Sequence, residues 1–244
     1  ENASDNNNGS ESNPFKTINN AVKNLEPGDT LYVKGGVYKE EVLVDVNGNQ
    51  KDGYITIKSY GNDEVYLSGI VQMGKEGWEK IDDDLFACTL PEGFNIERYD
   101  NKKHRMRAFC NNTEIPLKEQ LIDEEINDYK DSSIGDVDLP DESNSDYFHT
   151  PVKFYYVDED ADKLVVYVPN KPPEDFKMEF SLLEKGFNIQ GEFIKIQGFR
   201  VLGYEIGISV EAPYCEVIYN YLERNWNGIK VGPGQANGAI IRRN

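Results

Sequence analysis

From Phe193 to Asn244 one pattern of punctuation returns at a period in the low twenties. Gly198 and Asn220 stand one repeat apart, Gly207-Ile208 is echoed by Gly228-Ile229, and Asn244 falls on the following turn. The segments between, "FIKIQGFRVLGYEIGISV", "CEVIYNYLERNWNGIKV" and "AIIRRN", are short apolar runs broken by Gly or Asn. A repeat this short cannot bury its apolar face alone, so successive repeats must stack and share one core; short strands with Gly or Asn corners read as a coiled β solenoid. "YITIKSYG" from Tyr54 has the same form, which places coils early in the chain as well.

The first forty residues supply what such a stack needs at its end. Phe15, Ile18, Val22 and Leu25 follow spacings of three, four and three, one face of a helix. Asn13 as N-cap, Pro14 at the first helical position and Pro27-Gly28 as the stop predict a helix of about three turns. "TLYVKGGVY", "EEVLVDV", "YITIKSYG" and "DEVYLSG" then read as strands, with no room between Asp29 and Gly69 for a crossover helix. An open stack exposes apolar side chains and unpaired backbone groups, so the helix is read as the lid on the first coil. The competing arrangement is an α+β domain with that helix on a sheet face.

Between Gly69 and about Gly186 the rhythm is lost. "HRMRAFCNNTEIPL" reads as strand, Asn-Asn turn and strand, and "VKFYYVDEDADKLVVYVP" as a hairpin with its tip at Asp158–Asp162. The expected division is residues 1–69 for the cap and first coils, 70–186 for an inserted antiparallel β module, and 187–244 for further coils. Within the module, Asp123 to Asp146 holds ten acidic residues and one lysine. EF-hand spacing is absent, so a solvated loop is preferred to a calcium loop, and calcium is the one cofactor left open. His104 and His149, the only histidines, have no partner at metal-ligand spacing, and no metal site is expected.

A net charge of −18 opposes a nucleic acid or an anionic membrane as partner. No apolar run approaches the length of a membrane span, so no membrane insertion is expected. Cys88, Cys110 and Cys215 do not make a disulfide framework. The acidic, Cys-poor composition, with sequons at Asn2, Asn8 and Asn111, points to secretion or the cell surface. The polar opening "ENASDNNNGSES" and the ending "RRN" in mid-coil read as the limits of a piece of a longer protein, whose open coil end leaves self-association open.

The run "NPFKTINNAVKNLEPGDTLYVKGGVY", then "YITIKSYG" and "VYLSG", then the Trp78-led module and "FIKIQGFRVLGYEIGISV" resembles the N-terminal part of right-handed parallel β-helix carbohydrate-active enzymes. The cap with "PGDTLYV" is similar to polysaccharide lyases acting on pectin or alginate; the module returning through "KFYYVDEDADKLVVYVP" is similar to β-xylosidase-like glycoside hydrolases, in which a β-sandwich interrupts the helix. The resemblance implies an all-β fold, a polysaccharide or oligosaccharide partner, and cleavage of glycosidic bonds with hydrolysis ahead of elimination. It implies an acidic pair for a hydrolase, or a base with calcium-bound carboxylates for a lyase, on later coils; no motif of either kind matches residue by residue. The alternative is a non-catalytic adhesin, envelope or assembly solenoid.

Glycosidases set two carboxyls about 5 Å apart or somewhat further, and residues one coil apart in register stack at about 4.8 Å. Glu205 and Glu223, near one corner of successive coils, are therefore the candidate catalytic pair. Tyr204 and Trp226 lie in the same corner region, where a ring could stack on a sugar or Trp226 could pack under the module. Arg224 and Lys230 are candidates for holding a uronate carboxylate, with Lys230 a base in a lyase if its pKa is depressed. Asn220 and Asn244 read as a stacked amide ladder closing turns.

Overall fold

A computed structural model describes residues 2–73, 77–82, 84–89, 107–111, 113–115, 154–158, 163–168, 177–181, 183–232 and 236–244. His104, His149 and the acidic stretch Asp123–Asp146 lie outside the described residues. Among the described residues there is one short helix, α1 (Ile18–Val22), followed by β1 (Thr30–Val33), β2 (Gly36–Tyr38), β3 (Val42–Val44), β4 (Ile55–Ser59), β5 (Val65–Ser68) and β6 (Ile70–Met73). The middle carries β7 (Glu79–Asp82), β8 (Leu85–Thr89), β9 (Arg107–Cys110), β10 (Thr113–Ile115), β11 (Phe154–Asp158), β12 (Lys163–Tyr167) and β13 (Met178–Ser181). The last part carries β14 (Leu183–Ile189), β15 (Ile194–Gln197), β16 (Phe199–Leu202), β17 (Tyr204–Val210), β18 (Glu216–Ile218), β19 (Tyr221–Glu223), β20 (Asn227–Val231) and β21 (Ile240–Arg242).

The fold is all-β, with parallel and antiparallel sheets. It divides into two compact units, Glu1–Ile70 with Ser181–Asn244, and Val71–Phe180.

In the first unit the strands are dealt in rotation to three sheets, ordered β1-β4-β15-β18-β21, β2-β5-β16-β19 and β3-β14-β17-β20. The described pairings within these sheets are all parallel. The rotation is interrupted after β5 and resumes at β14. Twenty-one residues separate Lys195 from its partner Glu216, and twenty-four separate Glu216 from Ile240. Like side chains consequently fall in columns: Leu31, Ile57, Ile196, Val217 and Ile241 are successive partners. Ile57, Ile196 and Val217 are fully buried, each contributing about 1.5–3 kcal/mol of apolar burial.

The corners explain the punctuation. Gly186, Gly207 and Gly228 stack: a Cβ on Gly186 would lie 2.5 Å from the Gly207 carbonyl oxygen, and one on Gly207 2.7 Å from that of Gly228. Asn220, 4% exposed, accepts the Phe199 N–H at 3.1 Å and donates to the Ile196 carbonyl at 3.2 Å and to Asn244 Oδ1 at 3.1 Å. Asn244 donates to the Val217 carbonyl, so the amide ladder exists. Asn225 does the same at the next corner, accepting from Tyr204 N–H and donating to the Val201 carbonyl. The residue before each of these asparagines, Tyr219, Arg243 and Arg224, has a positive φ. Gly198 and Gly203 hold the equivalent places one turn earlier, so Gly198 matches Tyr219 rather than Asn220.

The helix is shorter than its apolar spacing predicts. It starts after Thr17, whose side chain accepts from Asn20 N–H, not after Asn13. Asp5 accepts the Lys16 and Thr17 N–H groups, and Glu40 accepts those of Ile18 and Asn19 at 3.0 and 2.9 Å. Carboxylates from other segments thus take the N–H groups at the helix start, including that of Lys16, which an Asn13 cap would have held. At the other end, i→i−3 bonds from Asn24 and Leu25 tighten the chain out of the α-helix. Ile18 and Val22 still pack into the core cluster with Val33, Val42 and Val44, and Leu25 packs against it. Asn19 Oδ1 accepts the Leu43 N–H, covering part of the edge at β3.

In the second unit the described pairings are antiparallel: β7 with β8, β8 with β12, β12 with β11, and β9 with β10. Asp158 faces Lys163 across the β11–β12 hairpin, and Cys110 faces Thr113 across the Asn111 turn. All three cysteines are free and buried.

Candidate functional site

The face of the β3-β14-β17-β20 sheet turned away from the core carries a row of polar residues. Phe187 and Ile189 on β14 and Ile208 and Val210 on β17 point inward, so alternation turns Asn188 and Ser209 outward. Register places Leu43, Asn188, Ser209 and Lys230 in one row across the four strands. Lys185 Nζ donates to Glu211 Oε1 at 2.7 Å, and the Ser209 hydroxyl donates to the same oxygen at 3.0 Å. The hydrogen bond from Lys185 foremost, with that from Ser209 and the charges of Lys185 and Lys230, holds the Glu211 carboxyl below the ordinary glutamate range. Ser209 is 3% exposed, and Asn188 Oδ1 is buried with no hydrogen-bond partner among the described residues. Glu41, from the loop before β3, accepts the N–H groups of Glu184 and Lys185 at 2.7 and 3.0 Å, which fixes the start of β14 beside this row.

Such a row can do some things and not others. A carboxylate between two lysines stays ionised at neutral pH; it can orient a hydroxyl, hold charge or act as a base, but it is not a proton-donating acid. Lys230 is exposed and offers a cation beside it.

The six residues singled out from the sequence separate. Glu223 pairs in register with Leu202, on the β2-β5-β16-β19 sheet. Trp226 N–H bonds to the Tyr204 carbonyl and Asn227 faces Ile206, so Glu205 falls opposite Trp226, not Glu223. The eighteen-residue spacing is shorter than the turn of twenty-one, and the two carboxylates do not share a column. Glu223 instead has Arg224 Nε at 3.5 Å. Tyr204 is also corrected: it is wholly buried in the core cluster, and its hydroxyl donates to the Glu40 carbonyl at 2.7 Å. Burial above all raises its pKa well above the usual tyrosine value, so it is a neutral structural donor and not a ring open to sugar. Trp226, 47% exposed, lies on the corner leading into β20, and Lys230 lies on β20 itself.

Sequence reasoning passed over Lys185, Asn188, Ser209 and Glu211. The available signal was the twenty-one-residue step from Asn188 to Ser209 and on to Lys230, which aligns polar residues outside the apolar columns. Among the described residues no group of three His, Cys, Asp or Glu is placed to hold a metal ion. Likewise, no described helix is long and apolar enough to cross a membrane.

No family model matches the chain, and no curated protein matches it. Two solved structures do. One is a complex of XylC with xylose, 20% identical, with a TM-score of 0.67 over 90% of this chain and 39% of that one. The other is described as a glycoside hydrolase, 15% identical, with a TM-score of 0.50 over 83% of this chain and 49% of that one. At these identities the likeness is one of fold, and the chain spans less than half the length of either neighbour.

Proposed function

We propose that this chain is part of a carbohydrate-active enzyme, secreted or at the cell surface, built on a right-handed parallel β-helix and cleaving glycosidic bonds in a polysaccharide or oligosaccharide, by hydrolysis rather than elimination. The observation that carries the reading is the order of elements. Strands dealt in rotation to three parallel sheets, interrupted by an antiparallel unit between β5 and β14, match in fold a protein solved with xylose. In this reading the substrate lies over β20 and the corner leading into it, where Trp226 and Lys230 are exposed. The half-exposed Trp226 ring stacks on a sugar, Lys230 with Arg224 at the corner offers cations, and ionised Glu211 orients hydroxyls. With Glu205 and Glu223 out of register, they are not proposed as the acid pair.

The test uses the natural full-length protein on xylo-oligosaccharides and a wider glycan panel. New reducing ends without ultraviolet-absorbing unsaturated uronate support hydrolysis, and unsaturated product would replace it with elimination. Glycan binding with no turnover anywhere on the panel would overturn the enzymatic reading in favour of an adhesin or envelope role. Trp226→Ala is expected to weaken saccharide binding by about 0.5–1.5 kcal/mol, the scale of an aromatic stacking contact.

A further inference from the structure

At the N-terminal end of the stack the three sheet edges are not treated alike. At β3, Asn19 Oδ1 takes the Leu43 N–H. At β1 no side chain among the described residues does the same. Thr56 N–H bonds to the Asp29 carbonyl and Tyr60 N–H to the Val33 carbonyl, with Thr30 opposite Thr56 and Tyr32 opposite Lys58. In a parallel ladder this alternation directs the backbone groups of Asp29, Leu31 and Val33 to β4, and the N–H and C=O of Thr30 and Tyr32 the other way. β1 ends its sheet, so those groups have no strand partner among the described residues.

Thr30 and Tyr32 line a groove of about 950 Å³, together with the rest of Asp29 to Gly35, the N-terminal segment, including Asp5 and Glu11, and the helix. The polar side chains of that segment are already engaged. Asp5 holds Lys16 and Thr17, Asn7 donates to the Asn2 and Pro14 carbonyls, and Asn8 accepts from Ser10. The segment is tied across the groove where Glu11 accepts from the Tyr60 hydroxyl at 3.3 Å and its carbonyl meets Lys34 Nζ at 3.5 Å. For hydrogen bonding the groove therefore offers backbone, two donors and two acceptors on alternate residues in the pattern of a missing strand, while its carboxylates still contribute their charge.

We propose that the β1 edge is a docking site for an extended polypeptide strand, which adds to the sheet through the backbone of Thr30 and Tyr32. Alternation specifies the occupant's chemistry. Side chains on one side of the added strand meet the apolar Leu31, Leu25 and Ile18; those on the other lie beside the exposed Tyr32 ring. The lining carries the carboxylates of Asp5, Glu11 and Asp29 against Lys16 and Lys34, in a chain of net charge −18. The fitting partner is a strand alternating β-branched apolar residues with lysine or arginine. This inference does not depend on the glycan reading.

A labelled synthetic peptide alternating valine and lysine is titrated into the natural full-length protein, with amide hydrogen exchange read at Thr30 and Tyr32. The expected result is saturable binding, protection of those two amides, and about three- to tenfold weaker binding by Thr30→Pro, which removes one edge donor while leaving the ladder to β4 intact. Each of three outcomes overturns the proposal: no binding, binding without protection at Thr30 and Tyr32, or protection of those amides by a xylo-oligosaccharide instead. So does their prior protection in the full-length protein alone, because the slot would then be filled from within.

Discussion

The two units reach a buried β core by opposite routes. In the first, partners are remote in sequence and recur: Val42, Phe187, Ile208 and Ile229 form one column although 145 residues separate the first two. In the second, hairpins such as β11–β12 and β9–β10 pair residues close in the chain, and β8 joins the remote β12 without any recurring column. Charged contacts show the recurrence in the first unit, although in the second Lys163 Nζ also reaches Glu79, 84 residues away, at 2.7 Å. Arg200 in the first unit lies between the rings of Tyr66 and Tyr221, at 5.6 and 5.3 Å, because register places all three in one outward row. In the second unit Arg107 Nε reaches Glu114 at 2.7 Å, a contact set by one local hairpin. Stacking makes each residue answer to the turn above and below, whereas a hairpin makes it answer mainly to its own partner strand.

This contrast predicts where substitutions spread. The largest effect is expected from Phe187→Ala, a fully buried ring 5.0 Å from that of Phe199, which should cost about 3–5 kcal/mol and raise amide exchange through the strands on both sides, β3 and β17. Leu164→Ala, at a residue 1% exposed on β12 and paired with β11 and β8, should cost about 2–5 kcal/mol but raise exchange only within the second unit. Equal spreading from both would erase the comparison. Asn220→Ala strands the Phe199 N–H and the Ile196 carbonyl, and a loss of about 1–3 kcal/mol is expected in denaturant unfolding. A neutral result would mean the amide ladder is dispensable.

Smaller effects sharpen the outer rows. Arg200→Ala removes two ring contacts and a 2.9 Å bridge to Glu64, and about 0.5–1 kcal/mol should be lost. The smallest effect is the pH response of Glu211. Its pKa is lowered in the folded state, so its stabilising contribution is complete above the ordinary glutamate value, about 4.3, and is lost as pH falls through the lowered value. The stability gap between wild type and Glu211→Gln should therefore close in acid. A gap independent of pH would remove the ion pair as its cause.

The recurring strands were legible because the contacts that align them repeat in register. Gly207 and Gly228 must be small where one turn's backbone presses on the next, and an asparagine that closes one corner recurs where the next turn needs closing. The β11–β12 and β9–β10 hairpins were legible from alternation around short polar turns. The helix was misjudged in length because its N–H groups are taken by Asp5 and Glu40, which no local pattern relates to it. The candidate site was misread for a comparable reason. Glu205 and Glu223 look paired along the chain, but a carboxylate's neighbour across a coil is set by register, and a slip of three residues puts Leu202 opposite Glu223.

The sequence by itself determined that the chain is rich in short strands, that the strands of its last part repeat, and that the repeat is broken by a segment of different character. Those properties are written in spacing, and spacing survives without knowledge of contacts. Only the tertiary structure decided which polar residues meet. Register steps of twenty-one and twenty-four residues shift the alignment from one paired strand to the next. A side chain's partner across a ladder about 4.8 Å wide changes with a shift of a single residue. That sensitivity placed Lys185, Ser209, Glu211 and Lys230 on one face and sent Tyr204 into the core.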